Sequence, residues 1–435
     1  MKFRHRAPFI LLILSLLGFY VLSVLHVKPI VSYTIVYVAS SLLYLLVAMV
    51  LKKKEVTKTD FVWLLGSAIV LRLAFLTLQP VGSPDYYRYV WDGKVEAHGI
   101  NPYRYAPDDS ALTGLHSETL PRLVTYPAMR TIYPPVSEGL FYAAYSIAGE
   151  SYVGTKILIL LFDLATMVGL VLLLTLLNQD RKYLLLYALC PLTIVQFFLD
   201  AHVDIFGFVF LISAIYSFIR ERKLAAYLLL GLSMSVKPLA LIVVPIFFFT
   251  EKGIGNRLKA AAIPLVVLGI SYLPFVFTGK PFQALLTFTE NWTFNGVVFH
   301  VLNSFIHDNQ RTRLICALLL LATYIPIILS RRELIEKIYL SIFLLFIFSP
   351  IVHPWYIGWL VVLLPLVPRW SGIAYAALSS LTVFTILNYQ MTGVWKDYPP
   401  VLIVEYVPVL ILFLWELNRK ARRASSTQGP RPANL

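Results

Sequence analysis

Residues 224–250 read LAAYLLLGLSMSVKPLALIVVPIFFFT, an apolar stretch long enough to cross a membrane once but interrupted by Lys237-Pro238. Proline removes a helical hydrogen bond and clashes with the preceding turn, so a break falls at this point. How the stretch is read sets the parity of everything that follows. If it crosses once, the basic clusters at 252–259, 331–332 and 419–423 face the side opposite those at 52–54, 181–182 and 220–223. If it turns back as a hairpin of two short or broken helices, all six share one side, as the excess of Lys and Arg in cytoplasmic loops demands. The hairpin is preferred, and it puts Lys237 at or near the outer half of the membrane.

Working outward, the whole chain carries the same signal. Its 435 residues are 58% hydrophobic and 14% charged, with mean hydropathy +0.74, against roughly 25% charged residues in a soluble domain. Apolar runs recur at 8–26, 30–51, 61–79, 152–177, 183–199, 203–219, 259–278, 312–330, 334–350, 355–368, 371–389 and 401–417. These read as about twelve full spans plus the hairpin. The fold class is an all-α polytopic membrane protein; the short alternating segments of a β-barrel are absent. Residues 1–420 form a single transmembrane domain, and 421–435 a disordered cytoplasmic tail. MKFRHR and the apolar run after it read as an uncleaved first span, since no small-residue cleavage site follows. Both termini are then cytoplasmic.

The net charge of +14 could suggest a nucleic-acid partner, but its placement in short runs between spans is the topological pattern instead. Cys190 and Cys316 lie in apolar runs, so no disulfide framework is expected. No repeat stands out, and no pair of broken helices suggests the two halves of a transporter.

The polar residues collect on the outer side. An outer loop at 80–150 contains SPDYYRYVWDGKVEAHGINPYRYAP (83–107), rich in charge, aromatics and turn residues. A second outer loop spans 279–313, and short links lie at 200–204 and 353–354. The stretch 140–148 is too short to span and reads as an interfacial amphipathic helix; the second loop, with Trp292, Phe294, Phe299 and Phe305, reads likewise. Asp85 follows Gly82 and Pro84 at the end of a span, and Asp92 lies seven residues on, two helical turns away on one face. Arg88 can pair with Asp85 or with a substrate phosphate. Further ionisable groups at membrane depth are costly and mark function: His202 and Asp204 of the HVD link, Lys237 in the hairpin, and His353 before Pro354-Trp355-Tyr356. A lipid-linked phosphate is a natural partner for a buried lysine such as Lys237. Asp163, inside a span, reads as an interhelical contact. No phosphate-binding glycine loop, DxD pair or His/Cys metal spacing is present, so a soluble nucleotide donor is disfavoured and no metal or cofactor is called for.

The run DYYRYVWDGKVEAHGINPYRYAP, with Tyr133-Pro134-Pro135, HVD, Lys237-Pro238 and HPWY, resembles the polyprenol-phosphate-dependent glycosyltransferases of the GT-C superfamily. The bacterial α-mannosyltransferases and the catalytic subunit of glycosylphosphatidylinositol mannosyltransferase I are similar over about residues 71–366. The resemblance implies a GT-C-like bundle in the plasma (inner) membrane with its active site on the outer face. It implies transfer of a hexose, mannose first, from a polyprenyl-phosphate donor to a lipid- or glycan-linked acceptor among membrane lipids, with no nucleic acid involved. Asp85 becomes the catalytic base of a single inverting displacement. From their placement, Arg88, Lys237 and His353 are candidates for steadying the leaving phosphate, and Asp92, His202 and Asp204 for orienting sugar hydroxyls. A flippase of lipid-linked glycans and a polysaccharide polymerase or ligase are the alternatives. The flippase reading is disfavoured because the polar groups sit at span ends rather than at the midplane.

Overall fold

The computed structural model describes residues 1, 3–395 and 398–426. Nineteen α-helices follow one another, broken by short 3-10 turns and one wide π turn. They are α1 Phe3–Val24, α2 Pro29–Lys53, α3 Lys58–Leu76, α4 Asp85–Ala97, α5 Pro135–Ala148, α6 Tyr152–Leu176, α7 Leu185–Ala188, α8 Ile205–Ile219, α9 Lys223–Val236 and α10 Val244–Thr250. There follow α11 Ile254–Val276, α12 Gln283–Asn291, α13 Val297–Ile306, α14 Asn309–Leu329, α15 Leu334–Phe348, α16 Gly358–Val361, α17 Trp370–Leu378, α18 Val383–Thr392 and α19 Pro399–Ser426. The all-helical, multi-pass membrane architecture expected from composition is what the chain adopts. The last helix runs through 421–426, and 427–435 of the expected tail lie outside the described residues.

The span count differs from the sequence reading. Among the described residues, eight helices are long and apolar enough to cross, or nine if the pair Arg181–Ala188 and Thr193–Leu199, bent by 54°, counts as one span. The expected spans at 203–219 and 334–350 are helices of only 15 residues each, α8 and α15, about 22 Å at 1.5 Å per residue. The expected span at 355–368 is a series of short turns around α16. All three segments are packed inside the bundle, with Phe206, Ile212, Ile338, Phe343 and Trp359 fully buried. Helices enclosed by protein need not match the lipid thickness, and apolarity alone cannot show where their backbone leaves the helix.

The hairpin is present. After α10, Glu251 accepts a hydrogen bond from Tyr227 Oη (2.8 Å) and meets Lys223 Nζ (3.1 Å) at the start of α9, so the chain has come back on itself. Phe218 and Phe247 pack against each other beside it, centroids 4.3 Å apart and ring planes tilted by 34°. Lys237 caps the turn at the far end. The opposite end is closed by the basic loops: Lys52 Nζ donates to Pro368 O, Lys182 Nζ donates to Lys54 O, and Arg332 and Arg369 share Glu336.

Inside the bundle, Asp163 is the interhelical contact its position suggested. Its carboxylate binds Arg72 Nε of α3 (2.6 Å) and accepts from Tyr187 Oη of α7 (2.6 Å), while Arg72 Nη1 donates to Ala188 O. Arg72 and Asp163 are fully buried, so removing one partner strands the other charge. Asp163→Ala is expected to destabilise the folded protein by about 3–5 kcal/mol, read as a lowered melting temperature in detergent. Asp163→Ala combined with Arg72→Leu should recover most of that loss.

Candidate active site

One carboxylate sets where the polar loop begins. Asp200 closes the π turn Thr193–Leu199; its Oδ1 accepts from the amides of Gly82 (2.7 Å) and Val81 (3.1 Å), and its Oδ2 accepts from Tyr33 Oη (2.7 Å). Gln196 Nε2 donates to the same tyrosine oxygen at 3.1 Å. The fit leaves no room for a side chain at Gly82: a Cβ there would lie 2.6 Å from Asp200 Oδ2 and against the Tyr33 hydroxyl. Three residues later α4 starts at Asp85, whose amide donates to Ser83 Oγ at 3.2 Å. The far end of the loop is clamped to α11 by Asn101, which donates to Phe275 O and Thr278 Oγ1.

Asp85 is thus held at the mouth of a cluster assembled from four distant segments. His202 Nδ1 lies 3.8 Å from Asp85 Oδ2; the imidazole side chain is 1% exposed and the carboxylate 29%. Lys237 Nζ pairs with Asp204 Oδ1 at 2.6 Å, and Trp359 Nε1 donates to the same oxygen at 2.8 Å. Lys237 also lies over the Tyr356 ring, 3.9 Å from its centroid. His202 stacks on Trp355 (3.6 Å between centroids), Trp355 on His353 (4.3 Å), and His353 on Phe294 (4.7 Å). Phe294 reaches this stack because its backbone pairs with 350–352: its amide donates to Pro350 O and its carbonyl accepts from Val352 N. Asn295 then ties the segment to α19, donating to both Glu405 oxygens.

Burial pushes the Asp85 carboxyl up to about 6, against the opposing pull of the Ser83 hydroxyl and the Lys237 charge, with Asp204 adding to the rise. Such a group is ionised at neutral pH yet far more basic than an ordinary aspartate, which suits a proton acceptor. His202 is held below its ordinary value by burial, by Lys237 and by His353, so it is neutral.

The expected residues therefore divide. Asp85, His202, Asp204, Lys237 and His353 converge. Arg88 and Asp92 pair with each other, Nε to Oδ2 at 2.8 Å, and Arg88 Nη1 donates to Met129 O. Arg88 acts on both carboxylates but forms its ion pair with Asp92, which also faces the Thr131–Glu138 pair, where Thr131 Oγ1 donates to Glu138 Oε1. This second network fastens α4 to α5, which approach so closely that Gly93 abuts the Phe141 carbonyl. Sequence reading gave no role to Tyr33, Gln196, Ser83, Trp355 or Trp359. Only the aromatic density around HPWY hinted at the last two. Asp200 opens the short link at 200–204, but its grip on the loop is visible only in three dimensions.

A bundle of apolar helices that concentrates a basic carboxylate, a neutral imidazole and an ammonium group at one end is built as a membrane enzyme. Residues 14–251 match the N-terminal domain of the alpha-(1->6)-mannopyranosyltransferase (MptA/B) family, and 295–419 match the MptB C-terminal domain. The chain belongs to this family and is a membrane mannosyltransferase. No curated protein matches it. The two matched regions meet at the site: Asp85, His202, Asp204 and Lys237 come from the first, and His353, Trp355, Tyr356 and Trp359 from the second.

Two outcomes check this geometry. Gly82→Ala should release the loop from Asp200 and lower mannosyl transfer at least about tenfold, since small misplacements of a reacting group carry large rate penalties, while the protein still elutes as a single folded species. A pH profile of transfer should fall as the pH drops through about 6, where the Asp85 carboxyl takes up a proton and loses its capacity to accept another.

Proposed function

We propose that the enzyme transfers mannose from a polyprenyl-phosphate donor to a lipid- or glycan-linked acceptor by a single inverting displacement, with Asp85 as general base. The observation that carries the reading is the convergence of Asp85 with Lys237 and His202 at one end of an apolar bundle, 3.8 Å separating Asp85 from His202. Asp85 takes the proton of the acceptor hydroxyl as its oxygen attacks C1 of the sugar. The C1–O bond breaks with its electron pair moving to the lipid phosphate. Lys237 is the cation that steadies the departing charge; its pairing with Asp204 holds it in place between turnovers. His353 and the aromatic stack wall the site off from lipid. Arg88 and Asp92 act at one remove, keeping α4 in register. The family's product linkage is α, and inversion to an α product requires a β-linked donor.

The site lies on the outer face of the plasma membrane, with both termini in the cytoplasm. Support comes from the gathering of Lys52, Lys182, Arg332 and Arg369 at the end away from Asp85.

Purified protein given a synthetic β-linked polyprenyl-phosphate mannose and octyl α-mannoside should form an α-linked dimannoside. Asp85→Asn should lose about 10²–10⁴-fold in rate with donor affinity kept; full activity in that variant would sink the assignment. Cysteines placed beside Arg257 and at Tyr126 should label from opposite sides of the membrane, the latter from outside. Labelling of both from one side would refute the orientation.

A further inference from the structure

His202 has a feature that substrate orientation alone does not use. It is 1% exposed, and neither Nδ1 nor Nε2 has a hydrogen-bond partner. Its flanking carboxylates are both committed: Asp200 to the loop amides and Tyr33, Asp204 to Lys237 and Trp359. Buried polar atoms are almost always satisfied, so a side chain with two orphaned nitrogens beside the reacting carboxylate is waiting for a partner that arrives with substrate. Stacking on Trp355, with an interplanar angle of 14°, fixes the ring plane. With Nδ1 turned to Asp85, the covalent geometry of imidazole sends Nε2 away from it. The charged and titratable groups around the ring are Asp85, Lys237 and His353. A neutral imidazole carries one N–H and one lone pair, so it can accept a proton on one side while giving one up on the other.

We propose that His202 is a catalytic proton relay between Asp85 and the leaving phosphate. This rests on the lipid-phosphate reading above. The acceptor O–H proton moves to Asp85 as the acceptor oxygen bonds to C1 and the C1–O bond to phosphate breaks. Protonated Asp85 then delivers its proton to Nδ1, while Nε2–H delivers its own to a terminal oxygen of the lipid phosphate. Asp85 returns to the carboxylate, the phosphate leaves as its monoanion, and His202 remains neutral with its proton on the other nitrogen. Exchange with water after product release restores the starting tautomer. The 3.8 Å gap shortens when substrate fills the site, as catalytic hydrogen bonds commonly do.

The test uses the full-length protein in detergent, polyprenyl-phosphate mannose and octyl α-mannoside. His202→Gly should lose about 10²-fold in kcat, with the donor KM changed less than about threefold. Added imidazole should fill the vacated space over Trp355 and restore at least a tenth of the lost rate. 1-Methylimidazole has nearly the same basicity but carries a methyl group in place of the N–H to be passed on, and should not rescue. His202→Gln, which can hydrogen-bond but not relay, should remain as slow as His202→Gly. Equal rescue by both imidazoles, rescue by neither, or near-normal kcat in His202→Gln would overturn the relay. Failure of the donor reading shows separately, as absence of transfer by the unsubstituted protein.

Discussion

The ion pair between Lys237 Nζ and Asp204 Oδ1, 2.6 Å long, joins the turn of the α9–α10 hairpin to the start of α8. A lone ammonium group in an apolar bundle is strongly unfavourable, and so is a lone carboxylate. Neither residue could stand at this depth without the other, and Trp359 Nε1 meets the same Asp204 oxygen at 2.8 Å. Three segments far apart in the chain are thereby drawn to one point. The hairpin turns where it does because Pro238 breaks the helix, and it stays closed at its other end through Tyr227, Lys223 and Glu251. With Lys237 so placed, the end of the bundle holds a cation whose charge acts on Asp85.

Around that pair the architecture works by dividing its carboxylates. Asp200 serves as an anchor, holding the amides of Val81 and Gly82. Asp204 balances Lys237, and Asp92 balances Arg88. Asp85 is held neither by an ion pair nor by backbone amides: a neutral imidazole lies 3.8 Å away, and burial lifts its carboxyl to about 6 against the pull of Ser83, Lys237 and Arg88. That difference in environment sets Asp85 apart from the other three aspartates, a pattern common to sites that run proton transfer at neutral pH. The aromatic stack from His202 through Trp355 and His353 to Phe294 gives the imidazoles a rigid seat without competing for their nitrogens.

Much of this was legible in the residues. The hairpin followed from the distribution of Lys and Arg around 224–250, because charge placement constrains topology whatever the helices do locally. Asp85, His202, Asp204, Lys237 and His353 were each conspicuous as ionisable groups at the ends of apolar runs. Other features were not legible. Arg72 sits within the apolar run 61–79, and only Asp163, 91 positions away, explains it. Arg88 and Asp92 were read as substrate contacts because spacing on a helix says which side chains share a face, not what that face meets. The lengths of α8 and α15 were overestimated because hydropathy continues past the point where the backbone stops being helical.

The amino-acid sequence by itself determined a polytopic helical membrane protein and the set of charged residues that must find partners, since transfer of apolar runs into lipid and the cost of burying charge are local properties. Tertiary structure decided who pairs with whom. The choice among Asp85, Asp92, Asp200 and Asp204 for the reactive role depends on whether an ammonium, a guanidinium, two backbone amides or a neutral imidazole stands opposite. Asp85 and Asp200 meet groups more than a hundred residues away and Asp204 meets Lys237 33 residues on, so packing sets those distances, and only Asp92 finds its partner within its own helix.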